Sequence, residues 1–232
     1  MFSLQIFLVS ITAGILGSIL GLGGGIIIIP VLTLVYKVDI EHAIGASIVA
    51  VIATSSGAAI AYIKDKVTNI RIGMFLEIAT TVGAITGAFI GGLLNSKYLF
   101  VIFSLLMLYS TFMMLKKSNT ELPNNVVQDP LADKLNLHGE YYDKSLKEDV
   151  KYNVSGVKSG FGIMYFAGIM SGLLGIGSGS FKVMAMDVFM KLPMKVSSST
   201  SNFMIGVTAA ASAGVYLLRG DIRPDIAGPV AL

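Results

Sequence analysis

Gly21-Leu22-Gly23-Gly24-Gly25 stands inside an apolar run from Phe2 to Tyr36, and Gly175-Ile176-Gly177-Ser178-Gly179-Ser180 stands inside a second, from Ser159 to Met190. As one helix the first run would be ~50 Å long, against a hydrocarbon core of ~30 Å. Each run is therefore expected to break at its glycines. The segments beyond the breaks, Ile26 to Tyr36 and Phe181 to Met190, are each about half a crossing.

Working outward, the remaining apolar runs are Ala43 to Ile63, Ile72 to Leu94, Tyr98 to Leu115, Val196 to Leu218, and one that opens near Asp225 and reaches the end at Leu232. Sliding the chain along itself by 154 residues sets Gly21, Gly23 and Gly25 over Gly175, Gly177 and Gly179. The same offset pairs Gly14 with Gly168, Lys37 with Lys191, Ser47 with Ser201, Thr54 with Thr208 and Tyr62 with Tyr216. An internal repeat is the better reading. The expected organisation is a first membrane repeat over 1–116, an extramembrane linker over 117–158 and a second repeat over 159–232. Counterparts of residues 78–115 are missing from the second repeat, which reads as truncation.

Composition supports this placement. Of 232 residues, 54% are apolar, 13% are charged and 26 are glycine, with a mean hydropathy of +0.77. A soluble domain carries about 25% charged residues. The charge that exists is gathered: seven lysines and seven acidic residues fall between Lys116 and Lys158, of 31 charged residues in all. A net charge of +3 spread in this way argues against nucleic acid as a partner. With no cysteine and only His42 and His138, thiolate chemistry is excluded; His42, beside Glu41, reads as a solvated surface residue rather than a metal ligand, so neither a cofactor nor a metal is expected. The opening Met1-Phe2-Ser3-Leu4-Gln5 lacks the basic start of a signal peptide, so it reads as the first membrane segment.

The linker carries turn and strand signals in Gly139-Glu140-Tyr141-Tyr142 and Val150-Lys151-Tyr152-Asn153-Val154. They fit a small hairpin or a solvated linker equally well. Tyr36, Tyr62, Tyr98 and Tyr216 stand at run ends, as an aromatic belt would. Counting lysine and arginine gives the same asymmetry whether each broken run crosses once or twice, so parallel and inverted repeats both stay open.

Two glycine breaks at equivalent places are the sequence pattern of a transporter site, because backbone exposed in hydrocarbon must be buried in protein or face a cavity. Candidate substrate-binding residues are Gly21, Gly23, Gly24 and Gly25 of the first break with Ser47, and Gly175, Gly177, Ser178, Gly179, Ser180 and Lys182 of the second. Thr200, Ser201 and Asn202 open the following helix and either cap it or hold oxyanion oxygens. A lysine in the bilayer costs at least ~2.5 kcal/mol on insertion scales, so Lys182 should face an anion, pair with Asp187 or snorkel. Glu77 is a candidate for proton coupling, with snorkelling to the interface as its alternative. Gly83, Gly87, Gly91 and Gly92 read as close helix packing. No dinucleotide fingerprint, P-loop or serine elbow occurs, so an enzyme is not expected.

The motif Gly21-Leu22-Gly23-Gly24-Gly25 with Ile26 to Pro30, the stretch Gly172-Leu173-Leu174-Gly175-Ile176-Gly177-Ser178-Gly179, and Ser201-Asn202-Phe203-Met204 resemble the TauE/SafE sulfite exporters, also called DUF81 permeases. The resemblance implies an inner-membrane protein of two repeats that moves sulfite, sulfonates or related anions, with the glycines of both motifs lining the path. Met184 departs from it where the first repeat has Pro30, as do Ser178, Ser180 and Lys182.

The fold expected is thus an all-α polytopic membrane protein of two repeats, each with a glycine-broken helix. The function expected is secondary transport of a small anion by alternating access in the cell membrane, with lipid and the anion as partners. A non-transporting membrane subunit, an anion channel and association of identical chains stay open.

Overall fold

The computed structural model describes residues 2–20, 23–116, 129–144 and 146–231. Among the described residues, four helices are long and apolar enough to cross a membrane: α3 (Ile40–Lys64), α4 (Ile70–Leu93), α7 (Val157–Leu174) and α9 (Met194–Arg219). Around them stand α1 (Phe2–Leu20), α2 (Gly25–Pro30), α5 (Ser96–Lys116), α8 (Gly179–Met184) and α10 (Pro224–Ala231). A short helix α6 (Pro130–Lys134) and the hairpin β1 (Gly139–Asp143) and β2 (Glu148–Tyr152) lie between α5 and α7.

Neither broken run crosses and continues; each doubles back. A Cβ on Gly17 would lie 2.1 Å from Gly24 N, and one on Gly24 would lie 3.0 Å from Ala13 O, so the chain leaving α1 folds straight down its side. Ile28, Val31, Leu32 and Tyr36 then line a shallow groove with Ile6, Val9 and Ser10, which places the end of the return beside the start of α1. In the second run Ser155 N–H donates to Met190 O (3.1 Å), so the return again ends where α7 begins.

The two returns match turn for turn. α2 passes into a π-helical turn over Val31–Val35, and α8 into one over Ala185–Phe189. Pro30 precedes the first and Met184 the second, so proline is not what widens the helix. Both end on a lysine at positive φ, Lys37 at 55° and Lys191 at 57°. Val38 N–H closes the first on Leu32 O and Leu192 N–H the second on Met186 O, each at 3.0 Å. The next helices begin at Ile40 and Met194 after a residue with almost the same backbone angles.

Contacts fix the helix directions. Gly14 faces Thr54 and the Tyr62 hydroxyl reaches Ser18 O, so α1 and α3 run the same way. Gly206 faces Ser55 whereas Gly45 faces Asp221, so α3 and α9 are antiparallel. Gly83 meets Tyr165 O and Gly91 faces Leu173, so α4 and α7 are parallel; Glu77 meets Thr208 and Gly92 meets Arg219, so α9 joins them. Hence α1 opposes α7 just as α3 opposes α9.

The α4–α7 seam is a backbone contact. A Cβ on Gly172 would lie 1.9 Å from Ala84 O, and one on Gly87 2.0 Å from Ile169 O. Without glycine these helices could not approach, the small-residue logic of membrane interfaces. Gly83 joins this seam, Gly91 makes only ordinary contacts, and Gly92 lies instead under the Arg219 guanidinium.

The polar stretch does form a hairpin, with Tyr141 opposite Val150. It is docked on one end of the bundle: Ala132, Leu137, Tyr141, Val150 and Val154 share a core with Ile72, Leu76, Met186, Met190 and Val196. Polar ties hold it there. Lys195 bonds both oxygens of buried Asp143 (2.9 and 2.8 Å), Asn69 donates to Leu137 O (3.0 Å), and Asp129 accepts from Val157 N–H (2.9 Å) at the start of α7.

Candidate functional site

The site is assembled where the tips of the two doubled-back runs meet. Gly23 (φ 83°) and Gly24 (φ 73°) turn the first tip, and Gly177 (φ 71°) and Ser178 (φ 44°) turn the second. These are left-handed conformations that strain any residue with a Cβ, so Ser178 holds a place where glycine is the easy choice. Both tips press on the same two side chains. A Cβ on Gly23 would lie 3.1 Å from Ile205 Cγ2 and 3.3 Å from Val51 Cγ1, and one on Gly177 would lie 2.8 and 3.1 Å from the same atoms. Val51 and Ile205, on the crossing of α3 with α9, therefore fill the space between the tips.

The tips also touch directly. A Cβ on Gly25 would lie 3.0 Å from Gly175 O and 3.0 Å from Ile176 Cα. Ser47 donates to Gly175 O (2.9 Å), so the hydroxyl of one half satisfies a carbonyl freed by the break in the other. Ser201 reaches Gly179 O at 3.5 Å, and Asn202 Nδ2 donates to Ser18 O at 2.9 Å. Three buried polar atoms here lack a partner among the described residues: Ser178 Oγ, Asn202 Oδ1 and Glu77 Oε2. A buried polar group without a partner costs ~1–3 kcal/mol, so each of these atoms is a candidate contact for a ligand, an ordered water or a proton.

Lys182 is fully buried on α8, and Glu77 is 6% exposed on α4. Helical side chains lean toward the N-terminus of their helix, which on α8 means toward the tip. The Lys182 ammonium accordingly reaches back and donates to Thr208 Oγ1 on α9. That hydroxyl in turn donates to Glu77 Oε1 at 2.6 Å, and Thr81 donates to the same oxygen at 3.1 Å. Cation and carboxylate thus meet through a threonine, in the interior of the bundle. Among the described residues the ammonium bonds Thr208 rather than Asp187.

Of the expected residues, Gly23, Gly24, Gly25, Ser47, Gly175, Gly177, Ser178, Gly179, Ser201 and Asn202 come together at or beside the tips. Gly21 lies outside the described residues. Ser180 pairs with Ser110 of α5 at 3.3 Å. Thr200 is turned away: its Oγ1 accepts from Asn69 N–H at 3.1 Å, beneath the docked hairpin. Glu77 does not snorkel. Thr208, the bridge between the charges, is a site residue that the sequence reading misses, although its pairing with Thr54 by the 154-residue offset points to it.

Two surface readings change. Tyr216 is buried, not in an aromatic belt, and donates to Gly172 O (2.8 Å) and Leu173 O (3.1 Å), the last free carbonyls of α7 before the break. Tyr62 makes the corresponding bond to Ser18 O, at a longer 3.4 Å. His42 is half-buried, with Nδ1 3.1 Å from Asp221 O.

Comparison with known proteins gives the chain a family. A probable membrane transporter protein of Bacillus subtilis (strain 168), YunE, is 30% identical over 218 residues, covering 91% of this chain and 77% of that protein. No solved structure gave a significant match. The family model described as sulfite exporter TauE/SafE matches residues 6–232, and the chain, a multi-pass membrane protein of the transport class, belongs to that family.

Proposed function

We propose that this chain is a secondary permease for a small anion of the sulfur oxoanion class, sulfite or a sulfonate, working by alternating exposure of one site between the two tips. The observation that carries the reading is the meeting of both tips on Val51 and Ile205, with unpartnered Ser178 Oγ and Asn202 Oδ1 beside them. Opposed directions of α1 and α7, and of α3 and α9, support inverted repeats over 1–116 and 159–232. In that arrangement exchanging the roles of the halves moves access from one face to the other. Backbone N–H groups at the glycines would take oxygens, Ser178 and Asn202 would add bonds, and Lys182 would supply charge.

Sequence position supports an orientation as well. With each broken run returning to its own face, Lys64, Lys66, Arg71, Lys191, Lys195 and the linker lysines share one side. The positive-inside rule makes that the cytoplasmic side of the cell membrane, with the 117–158 segment there. The family description names sulfite; the donor set at the tips fits any small oxoanion.

Flux of sulfite and of a sulfonate into proteoliposomes tests the reading. Saturable flux lost on Lys182→Met supports it. Absence of flux for both anions, with no ligand raising thermal stability, would overturn it in favour of a non-transporting subunit. Ohmic single-channel currents would indicate a channel instead.

A further inference from the structure

The Lys182–Thr208–Glu77 relay has a consequence for any anion that reaches it. Thr208 accepts from the ammonium and has one hydroxyl proton, for which Glu77 Oε1 at 2.6 Å is a nearer acceptor than Met204 O at 2.9 Å. The charges of Lys182 and Glu77 therefore cancel while no anion is bound, which is what permits both to be buried. An anion brought to Lys182 with Glu77 still ionised would set two negative groups around one cation in a low-dielectric interior. Protonating Glu77 removes that conflict, and the structure shows where the proton would go: Oε1 is occupied by Thr208 and Thr81, whereas Oε2 is buried and has no partner among the described residues. A protonated Oε2 also changes from acceptor to donor, so it no longer competes for the ammonium.

Other ionisable groups on the packed elements lie elsewhere. On α9 they are Lys195, held by Asp143, Tyr216, bonded to the α7 carbonyls, and Arg219, held by Asp221 at 2.6 Å. Those of α7 are Lys158 at its exposed start and Tyr165, and the described ones of α5 are Lys97, Tyr98 and Tyr109, whose hydroxyl faces Met184 Sδ at 3.8 Å. Arg71 on α4 reaches Asn136 O, and Asp187 stands half-buried on the π turn after α8.

We propose that Glu77 and Lys182 form a proton-gated counter-ion pair: an anion binds at Lys182 only as Glu77 takes up a proton at Oε2, so that one proton accompanies each anion. This rests on the permease reading and names its coupling. The proton adds from water and leaves with the anion, and no covalent bond to substrate is made.

The test uses methanesulfonate and the full chain in detergent, because a sulfonate does not itself titrate near neutral pH. Calorimetric binding in buffers of different ionisation heat counts protons. Wild type is expected to take up about one proton per anion, with apparent Kd weakening about tenfold per pH unit over the range in which binding draws a proton from solution. Glu77→Gln, which imitates the protonated form, should bind with no proton uptake and a flat pH profile, and Lys182→Met should not bind. Binding by wild type without proton uptake, or uptake that persists in Glu77→Gln, overturns the pair while leaving transport standing. Failure of wild type to bind or move either a sulfonate or sulfite overturns both. If Glu77→Gln does not fold, the wild-type infrared difference spectrum decides: a new protonated-carboxyl band on adding methanesulfonate supports the pair, and its absence refutes it.

Discussion

The two doubled-back runs share a backbone and differ in chemistry. Gly23 and Gly24 correspond to Gly177 and Ser178, the π turns begin six residues into each return helix, and both end on a left-handed lysine. Yet the first return opens with Ile26 to Ile29 and Pro30, all apolar, while the second carries Ser178, Ser180 and Lys182 at its start. Backbone geometry is thus what the halves must hold in common, and charge need be supplied only once. Glu77, in the first half, faces the lysine of the second. The asymmetry is therefore complementary: each half contributes one member of the buried pair.

The sharpest way to break this contrast is to move the lysine. Ile28 occupies the Lys182 position of the first return and is buried. Ile28→Lys should bury a cation away from Glu77 and cost upwards of ~3 kcal/mol, read as loss of folded protein in detergent. Lys182→Met, by contrast, should fold but reduce anion flux at least a hundredfold; near-normal flux would remove the lysine from the mechanism.

Exchanging the left-handed residues has a smaller effect with opposite signs. Gly24→Ala strains the first tip and crowds Ala13 O, so it should lower stability by ~1–2 kcal/mol. Ser178→Gly relieves strain and should raise thermal stability modestly, while weakening anion binding several-fold through loss of its hydroxyl. The tyrosine pair sharpens the comparison further. Tyr216→Phe leaves two buried carbonyls short of a donor and should cost ~1–2 kcal/mol, whereas Tyr62→Phe, losing a single long bond at a half-buried position, should cost under ~0.5 kcal/mol. Thermal melts of the two variants side by side would show whether the second tip needs the firmer anchor.

The smallest effect belongs to the docked hairpin, which has no counterpart in the other half. The Val157 N–H, then the Leu131 and Ala132 amides, hold the Asp129 carboxyl below its ordinary value of 3.8, with Lys158 adding to them against the cost of burial. A carboxylate with a depressed folded value stabilises fully above its unfolded value, and that contribution fades as pH falls through the folded one. Docking should therefore weaken only in acid, below about pH 4. Asp129→Asn should lose part of the stability at pH 7 and flatten the acid limb; an unchanged limb would place the acid sensitivity elsewhere, in Asp143 for example.

Much of this architecture is written in glycine spacing. The ends of α1 at Leu20 and of α7 at Leu174 fall at the glycines where run length against bilayer thickness expects a break. Hydropathy could not say whether a broken run crosses or returns, because both bury the same apolar residues. Only contacts such as Gly24 on Ala13 and Ser155 on Met190 decide it. Lys182 could be recognised as needing a partner, but Glu77 is remote in sequence and meets it through a threonine. Tyr216 misleads for a related reason: a tyrosine near a run end looks the same whether its hydroxyl finds headgroups or the open carbonyls of a neighbouring helix.

The wide separation of the buried charges along the chain bears on how the protein is made. Glu77 leaves the ribosome more than a third of the chain ahead of Lys182 and Thr208. During that interval the first half must sit in the bilayer with a carboxyl group that has Thr81 beside it but neither Thr208 nor Lys182, and the neutral acid is the form that membrane insertion tolerates. Under the proposed coupling, the protonation that accompanies each anion would also serve once beforehand, during biogenesis, until the second half arrives and closes the pair.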